Sequence, residues 1–166
     1  MFTTKEIPLK MKALVLHGVG DLRLDEVNVP EIQKDCVLLN IKNCGICSSD
    51  IERVFVNGTY HFPTIPGHEF SGEIVGVYDE KDKELLGKSA SVFPLLPCNE
   101  CSACKDKKYA QCSNYNYFGS RCDGAFSEYL VVPKWNLIYF DGMDYDVAAL
   151  CEPAAVALHA TKKVDI

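Results

Sequence analysis

The amino-acid sequence predicts a mainly β protein: a small, partly open antiparallel barrel with a few short helices and one cysteine-rich loop. Short runs with alternating or β-branched apolar residues recur through the first 140 residues, as expected for strands. Glycine and proline separate these runs. Helical signals are restricted to two segments, so the regular alternation of strands and helices that marks a parallel sheet is missing.

Seven runs are predicted to be strands. They are MKALVL from Met11, DLRLDEV from Asp21, CVLLNIKN from Cys36, GEIVGVY from Gly72, SASVF from Ser89, AFSEYLVV from Ala125 and NLIYF from Asn136. The breakers between them are Gly18, Gly20, Pro30, Gly58, Pro63, Pro66, Gly67, Gly87, Pro94 and Pro97. This rhythm favours a small antiparallel barrel.

Two helices are predicted. The first is SSDIERVF, with Ser48 or Ser49 as its N-cap. The second lies in DYDVAALCEPAAVALHATKKV, where Pro153 suits the first helical position and Lys162 and Lys163 suit the last turn. Apolar residues occupy nearly its whole circumference, which is unexpected for a surface helix at the end of a finished domain. We therefore expect the sequence to stop within a longer protein, or this helix to pack against a partner chain.

Composition and charge narrow the class of protein. The chain has 166 residues, of which 48% are hydrophobic, and this length is enough to form one hydrophobic core. Its net charge is −6. Its charged N-terminal stretch MFTTKEIPLKMK is unlike a signal peptide, and no apolar run reaches the roughly 18 residues of a membrane span. We therefore expect a cytoplasmic protein with reduced thiols. The acidity argues against nucleic acid or an anionic membrane as a partner.

Four of the nine cysteines lie within one short segment, as Cys98-x2-Cys101-x2-Cys104-x7-Cys112. This spacing lets four thiolates converge on one tetrahedral zinc ion at sulfur distances of about 2.3 Å. Four buried reduced thiols without metal would need an apolar setting, whereas the segment CNECSACKDKKYAQC is polar. Since four protein ligands leave no position for a substrate, the sequence predicts a closed, structural zinc site that staples the loop.

A second set of ligand types is dispersed along the chain: Cys47 in CGICSSD, His68 and Glu69 in PGHEFSG, and Glu152 in CEP. A catalytic zinc takes three protein ligands of mixed character and keeps one position open. Taken singly, each residue also has an ordinary structural explanation, such as a buried thiol, a turn histidine or a surface charge. The residues alone leave both interpretations open, because only a fold can bring them together.

Five motifs occur in a fixed order: GICSSD, PGHEFSGEIVG, the four-cysteine segment, DGAFSEYLVV and EPAAVALHA. In this order the chain resembles the N-terminal GroES-like catalytic domain of zinc-dependent medium-chain alcohol dehydrogenases, from about Met11 to its end. Within that family, ERVFVNGTYHFPTIPGHEFSG, PLLPC and FGSRCDGAFSEY resemble the sugar-alcohol dehydrogenases of the galactitol-phosphate and sorbitol types.

The resemblance implies roles for individual residues. Cys47, His68 and Glu152 would bind a catalytic zinc, with Glu69 as an exchangeable ligand beside it. The hydroxyl of Ser49 would be the first proton relay from the zinc-bound substrate oxygen. These roles would add one catalytic zinc to the structural one.

Two further positions follow from the same likeness, and one departs from it. Asp50 would steady the metal site from behind the ligands. Many relatives carry a histidine five residues after the ligand cysteine, where this chain has Glu52, so the outer end of the proton relay differs. Arg121 in FGSRCDG either contacts a substrate phosphate through its planar fork or merely ties its turn.

The activity implied is oxidation of an alcohol or polyol, in which zinc acts as a Lewis acid and hydride passes to NAD(P). No G-x-G-x-x-G fingerprint follows a strand, so no cofactor-binding residue is predicted here. We expect residues 1–166 to be an incomplete GroES-like catalytic domain that lacks its Rossmann domain, inactive alone and homo-oligomeric as a full-length protein. The alternatives are a zinc hydrolase, for which the His-Glu-x-x-His pattern is missing, and a non-enzymatic GroES-like module for binding or assembly.

Overall fold

An antiparallel sheet forms the centre of the protein, and all seven predicted strands are present in it or beside it. The computed structural model describes residues 1–164. The strands are β1 (Phe2–Thr3), β2 (Lys10–Gly18), β3 (Asp21–Asn28), β4 (Cys36–Gly45), β5 (Glu69–Val77), β6 (Ser89–Val92), β7 (Leu95–Leu96), β8 (Asn116–Tyr117), β9 (Tyr129–Pro133) and β10 (Leu137–Phe140). The short strands β1, β7 and β8 were not predicted.

The strands pair as one large sheet and two small ones. The large sheet has six strands in the order β10-β6-β5-β4-β9, with β1 also paired to β5. Strands β2 and β3 form a separate hairpin, and β7 pairs with β8. Isolated bridges from Ala13 to Ser127 and from Leu16 to Thr64 tie the hairpin to the segments before β9 and β5. The result is the partly open antiparallel barrel that the sequence predicts.

Strand β4 lies at the centre because both of its faces are apolar. Val37 and Leu39 pack in one core cluster around Phe70, whereas Leu38 packs in a second cluster with Val75. Successive side chains of a strand point to opposite faces of the sheet. The uninterrupted run CVLL therefore supplies apolar side chains to both faces of the sheet. This burial holds β4 in place, and with it the start of the segment that follows Gly45.

The helices are short. They are α1 (Ser48–Glu52), α2 (Ser102–Lys105), α3 (Tyr145–Ala149) and α4 (Cys151–Thr161), with a π-helical turn at Arg53–Asn57 and 3₁₀ turns at Glu80–Leu85, Tyr109–Gln111 and Lys134–Asn136. Within residues 1–164, no helix is both long and apolar enough to cross a membrane. Both predicted helical segments are present. The second consists of two helices, α3 and α4, rather than one, and α2 was not predicted.

Three boundaries differ from the predictions. The N-cap of α1 is Cys47, whose backbone is extended, rather than Ser48 or Ser49. Pro153 is the third residue of α4 and not the first, which is tolerated because the first four backbone N–H groups of a helix have no intrahelical acceptor. From residue 154 onward the side chains of α4 are exposed. Its apolar surface is thus uncovered along the described part of the chain.

The predicted strand AFSEYLVV begins four residues late, at Tyr129. The N–H groups of Ala125 and Phe126 instead donate to the carbonyls of Gly67 and Pro66, at 3.0 and 2.9 Å. Backbone groups that are used in this local pairing cannot join the sheet ladder. This pairing matters for function, because it lies directly against the segment that carries His68.

Candidate metal centres and catalytic site

The four-cysteine lobe, Cys98 to Cys112, brings its four sulfur atoms together. All four Sγ atoms lie within 4.8 Å of one another. The separation is 4.0 Å between Cys98 and Cys104 and 3.9 Å between Cys101 and Cys112. Four sulfurs bonded to one zinc at about 2.3 Å stand about 3.8 Å apart at the corners of a tetrahedron. The lobe thus has the dimensions of a tetrahedral zinc site.

Backbone N–H groups of the lobe point at its thiols. Donors led by the backbone at Cys104 lower the pKa of Cys101 to about 6. The N–H of Cys98 lies 3.3 Å from Sγ of Cys112 and lowers the pKa of that thiol. Burial, followed by the neighbouring thiols, raises the pKa of Cys104 to about 12. Several thiolates this close would repel one another, and a bound cation would supply the missing charge. The donor set fits zinc.

Aromatic contacts anchor the lobe to the sheet. The ring of Tyr109, in the lobe, meets the ring of Trp135 edge to face with centroids 5.0 Å apart. Trp135 makes a second contact of this kind with Phe93, just after β6, at 5.8 Å. Such pairs stabilise a contact beyond the area they bury. The lobe is therefore docked on the barrel at one defined point.

A second cluster gathers Cys47, His68 and Glu69, whose ligand atoms all lie within 4.8 Å of one another. Cys47 follows the end of β4, and Glu69 opens β5. The two strands pair antiparallel with Gly45 opposite Glu69, so the end of one strand meets the start of the other. His68 and Glu69 are buried and Cys47 is half-buried. Thiolate, imidazole and carboxylate are the mixed donors that catalytic zinc sites use.

Asp50 lies directly behind this cluster. Its carboxylate Oδ1 stands 3.4 Å from Nδ1 of His68, and both side chains are almost fully buried. Its other oxygen accepts the backbone N–H of Cys47 at 3.1 Å. Burial lowers the pKa of His68, but Asp50, followed by Cys47, outweighs burial and raises that pKa. Nδ1 has no well-aligned hydrogen-bond partner within residues 1–164, so the contact with Asp50 is an ion-pair distance.

Glycines let the backbone carrying His68 pack closely. Gly67 adopts a φ of +95°, where a side chain would be strained. A Cβ built on Gly124 would collide with the carbonyl oxygen of Gly67. The N–H of Gly124 donates to the carbonyl of Ile65 at 2.7 Å. The motifs PGHEF and DGAF therefore fit together as backbone against backbone, and this contact places His68.

Glu152, in the first turn of α4, takes a different position. Its carboxylate does not lie within 4.8 Å of all three ligand atoms of the second cluster. Instead, Oε1 accepts a hydrogen bond from the hydroxyl of Tyr117 at 3.2 Å. The structure thus brings together three of the four expected catalytic ligands and holds the fourth beside Tyr117.

Tyr117 is a site residue that the sequence analysis missed. Besides its bond to Glu152, its ring meets the ring of His68 edge to face with centroids 5.7 Å apart. Burial, followed by the negative charge of Glu152, raises the pKa of Tyr117 well above its usual range, so the hydroxyl stays a donor. The only signal in the sequence is its place immediately before FGSRCDG.

A polar cleft opens beside α1. Its volume is about 360 Å³, and it is lined by Ser49, Glu52, Arg53, Asn57, Gly58, Thr59 and Tyr60. The Oγ of Ser49 accepts a hydrogen bond from Nη1 of Arg53 at 2.8 Å, and the same guanidinium lies 3.3 Å from Asp50. Hydroxyls, an amide and both signs of charge line this space, which suits a hydroxylated substrate.

Residues 33–141 match the family described as the alcohol dehydrogenase GroES-like domain. The chain belongs to this family. This GroES-like chain is 40% identical over 152 residues to galactitol 1-phosphate 5-dehydrogenase of Escherichia coli K12. The match covers 90% of this chain and 44% of that protein. It is 32% identical over 171 residues to sorbitol dehydrogenase of Bacillus subtilis 168, covering 98% of this chain and 48% of that protein.

The GroES-like fold is also shared with solved structures. A zinc-binding dehydrogenase of Sinorhizobium meliloti 1021, solved with NADP bound, superposes with a TM-score of 0.85 at 30% identity, over 95% of this chain and 46% of that one. The family assignment predicted from the motifs and the mainly β fold predicted from the pattern of strands are therefore confirmed. The chain spans about half the length of the curated relatives it matches.

Proposed function

We propose that this chain is the catalytic part of a zinc-dependent dehydrogenase that transfers hydride from a secondary alcohol, in a polyol or polyol phosphate, to NAD(P). The observation that carries the proposal is the meeting of Cys47, His68 and Glu69 beside a polar cleft that contains Ser49. The likeness to galactitol 1-phosphate 5-dehydrogenase and to sorbitol dehydrogenase supports the substrate class.

We assign two zinc ions to the chain. The closed structural site consists of Cys98, Cys101, Cys104 and Cys112. The catalytic site consists of Cys47, His68 and Glu152, with Glu69 as the exchangeable ligand. Because Asp50 faces Nδ1 of His68, Nε2 is the nitrogen left for the metal. The hydroxyl of Tyr117 holds the carboxylate of Glu152 through a hydrogen bond, and the ring of Tyr117 contacts His68.

When bound at the second cluster, zinc supplies Lewis-acid chemistry that favours loss of the proton from the substrate hydroxyl. Oγ of Ser49 would accept this proton while the Ser49 hydroxyl passes its own proton on along the relay. Arg53 donates to Oγ of Ser49, which orients the hydroxyl and leaves its own hydrogen to be donated elsewhere. Glu52 is the one carboxylate among the residues described as lining that cleft, and we assign it the outer end of the relay in place of histidine.

The hydride acceptor is a nicotinamide dinucleotide. We propose that residues 1–166 are an incomplete GroES-like catalytic domain and that the dinucleotide is held by a Rossmann domain elsewhere in the full-length protein. NADP in the Sinorhizobium meliloti structure supports this assignment. The 166-residue chain alone is expected neither to bind NAD or NADP nor to oxidise alcohols. Calorimetric binding tighter than about millimolar, near −4 kcal/mol, would contradict that expectation.

A panel of ethanol, long-chain primary alcohols, polyols and polyol phosphates tests the function on the full-length protein. Polyols should exceed ethanol in kcat/KM, by up to about 10⁴-fold, because polar groups built to bond substrate hydroxyls are left unpaired by ethanol. Cys47→Ser should abolish activity, whereas Cys36→Ser, at the far end of β4, should preserve it. If a simple primary alcohol is the best substrate, the polyol assignment is wrong and the dehydrogenase assignment stands.

We also propose that the full-length protein is a cytoplasmic homo-oligomer. None of the nine cysteines, all of which lie within residues 1–164, is in a disulfide bond, as is usual for proteins of a reducing compartment. The oligomer is supported by family likeness, and light scattering of the full-length protein measures it directly. A monomer at micromolar concentration would contradict it.

A further inference from the structure

Arg121 differs from the other two arginines of the chain. Arg23 is paired with Asp21 through two hydrogen bonds of 2.6 and 2.7 Å, and Arg53 donates to Ser49. Within residues 1–164, the guanidinium of Arg121 has neither an ion pair nor a well-aligned hydrogen bond, and its Nε is buried without a partner. A buried donor that lacks an acceptor is costly. Because Nε is closed to solvent, a ligand of this side chain would bind at its terminal Nη groups.

Two tyrosines hold the guanidinium in place. Its central carbon lies 4.1 Å from the ring centroid of Tyr60 and 4.4 Å from that of Tyr115. Arginine stacks on aromatic faces in this way while its N–H donors remain in the plane of the guanidinium. Two aromatic rings therefore lie against the guanidinium and restrict how its side chain can move before any ligand arrives.

The backbone around Arg121 is fixed as well. The backbone N–H of Arg121 donates to the carbonyl of Tyr117 at 3.0 Å. The carbonyl oxygen of Arg121 lies 3.2 Å from Nε2 of His61. The hydroxyl of Thr59 donates to the carbonyl of Ser120 at 2.6 Å. Main-chain groups thus tie this turn, and the side chain of Arg121 takes no part in that task.

Position links Arg121 to the cleft. Tyr60 covers one face of the guanidinium and also lines the cleft that contains Ser49. Tyr60 therefore connects the guanidinium to the edge of the space proposed to hold the substrate. Of the two charged residues in the lining itself, Arg53 is already engaged with Ser49, and Glu52 would repel an anion. Arg121, behind Tyr60, is a cation that an anion at that edge could reach.

We propose that Arg121, clamped between Tyr60 and Tyr115, binds the phosphate group of a polyol-phosphate substrate. This inference rests on the proposed dehydrogenase function and selects the phosphate monoester over the free polyol. A guanidinium fork donates two parallel hydrogen bonds to phosphate oxygens. The dianion supplies both the acceptors and the countercharge that the described part of the chain does not offer.

Calorimetry on the zinc-loaded chain tests the contact without any need for turnover. Galactitol 1-phosphate is expected to bind more tightly than galactitol, and inorganic phosphate to compete with it. Arg121→Met should weaken binding of both phosphates about 10- to 100-fold, and Arg121→Lys, which keeps the charge and loses the fork, about 10-fold. Binding of galactitol should not change. Arg23→Met is the matched control and should leave every affinity as in the wild type.

Zinc content and circular dichroism check that the variants fold. If Arg121→Met does not fold, the affinities of Arg121→Lys test the phosphate contact instead. Phosphate affinity that survives loss of the fork, or equal weakening for galactitol, would overturn the proposal. In the full-length protein, Arg121→Met should raise KM for galactitol 1-phosphate and leave kcat/KM for galactitol unchanged. If the wild type oxidises both equally well, the phosphate site is wrong while the dehydrogenase stands. If it oxidises neither, the proposed function fails, and calorimetry still decides the phosphate site.

Discussion

The two clusters of metal-ligating side chains are built in opposite ways. The four thiols of the lobe come from fifteen consecutive residues that contain only α2 and one 3₁₀ turn. Cys47, by contrast, meets His68 and Glu69 because β4 and β5 pair in the middle of the sheet. Strand pairing brings the second cluster together, whereas the lobe contains little regular structure of its own. Metal should therefore stabilise the fold at the first site and only complete the chemistry at the second.

The sharpest test compares the same substitution at both sites. Cys101→Ser should lower the free energy of unfolding by about 4 kcal/mol and remove one zinc, because a structural zinc site contributes folding energy directly. Cys47→Ser should remove the other zinc and change stability by less than about 1 kcal/mol. Denaturant unfolding with elemental analysis measures both quantities. Equal losses of stability in the two variants would contradict the division into a structural and a catalytic zinc site.

Gly124→Ala should damage only the site that the fold creates. The new Cβ collides with the carbonyl of Gly67, and a backbone contact of this kind cannot relax cheaply, so we expect a loss of about 3 kcal/mol. The second zinc should be lost and the lobe zinc retained. Gly18→Ala is the control, because a Cβ there meets nothing within 4 Å. Loss of both zincs in the Gly124 variant would show that the sites are not independent.

Asp50→Asn should leave the fold intact and weaken the second zinc by about 10- to 100-fold, the usual effect of removing a group that orients a metal-bound histidine. In the metal-free chain the pKa of His68 should fall, since Asp50 is the main group that raises it; NMR titration measures this. Asp25→Asn removes an exposed carboxylate 2.6 Å from His17 and is the control. Unchanged zinc affinity in Asp50→Asn would contradict the assigned role.

Tyr117→Phe should have the smallest effect. It removes one hydrogen bond to Glu152, which is expected to weaken the second zinc by about 3- to 10-fold. Competition with a chelator measures the affinity, and Tyr139→Phe, remote from the ligands on β10, is the comparison. If both variants bind zinc as the wild type does, Tyr117 has no part in placing Glu152.

The same contrast explains what could be predicted from the sequence. The spacing of the lobe cysteines is local, so their convergence followed from the sequence alone, as did the strands whose apolar residues alternate. Cys47 and His68 are brought together by strand pairing, and the sequence contains no local sign of that distance. Their roles became predictable only through motif likeness, which also suggested Glu152. It did not indicate that Tyr117 would bind the Glu152 carboxylate.

Other failures have the same physical cause. AFSEYLVV alternates like a strand, but its first residues pair with the loop at Gly67, a long-range choice that local pattern does not encode. Arg121 was left open between two roles, because stacking by Tyr60 and Tyr115 depends on three separate segments meeting. The role of a residue can be predicted when its neighbours in space are also its neighbours in the sequence. When those neighbours come from distant segments, the role can be assigned only once the fold is known.

Trp135 is the only tryptophan in the chain, and it sits where the lobe docks on the barrel. Its fluorescence therefore comes from that single contact, with Tyr109 on one side and Phe93 on the other. Trp135 is already 52% exposed, so undocking of the lobe would increase the hydration of its indole and shift its emission further to longer wavelength. Mixing the protein rapidly with a chelator would then give the rate of lobe release without any label, while loss of metal from the distant Cys47 cluster stays optically silent.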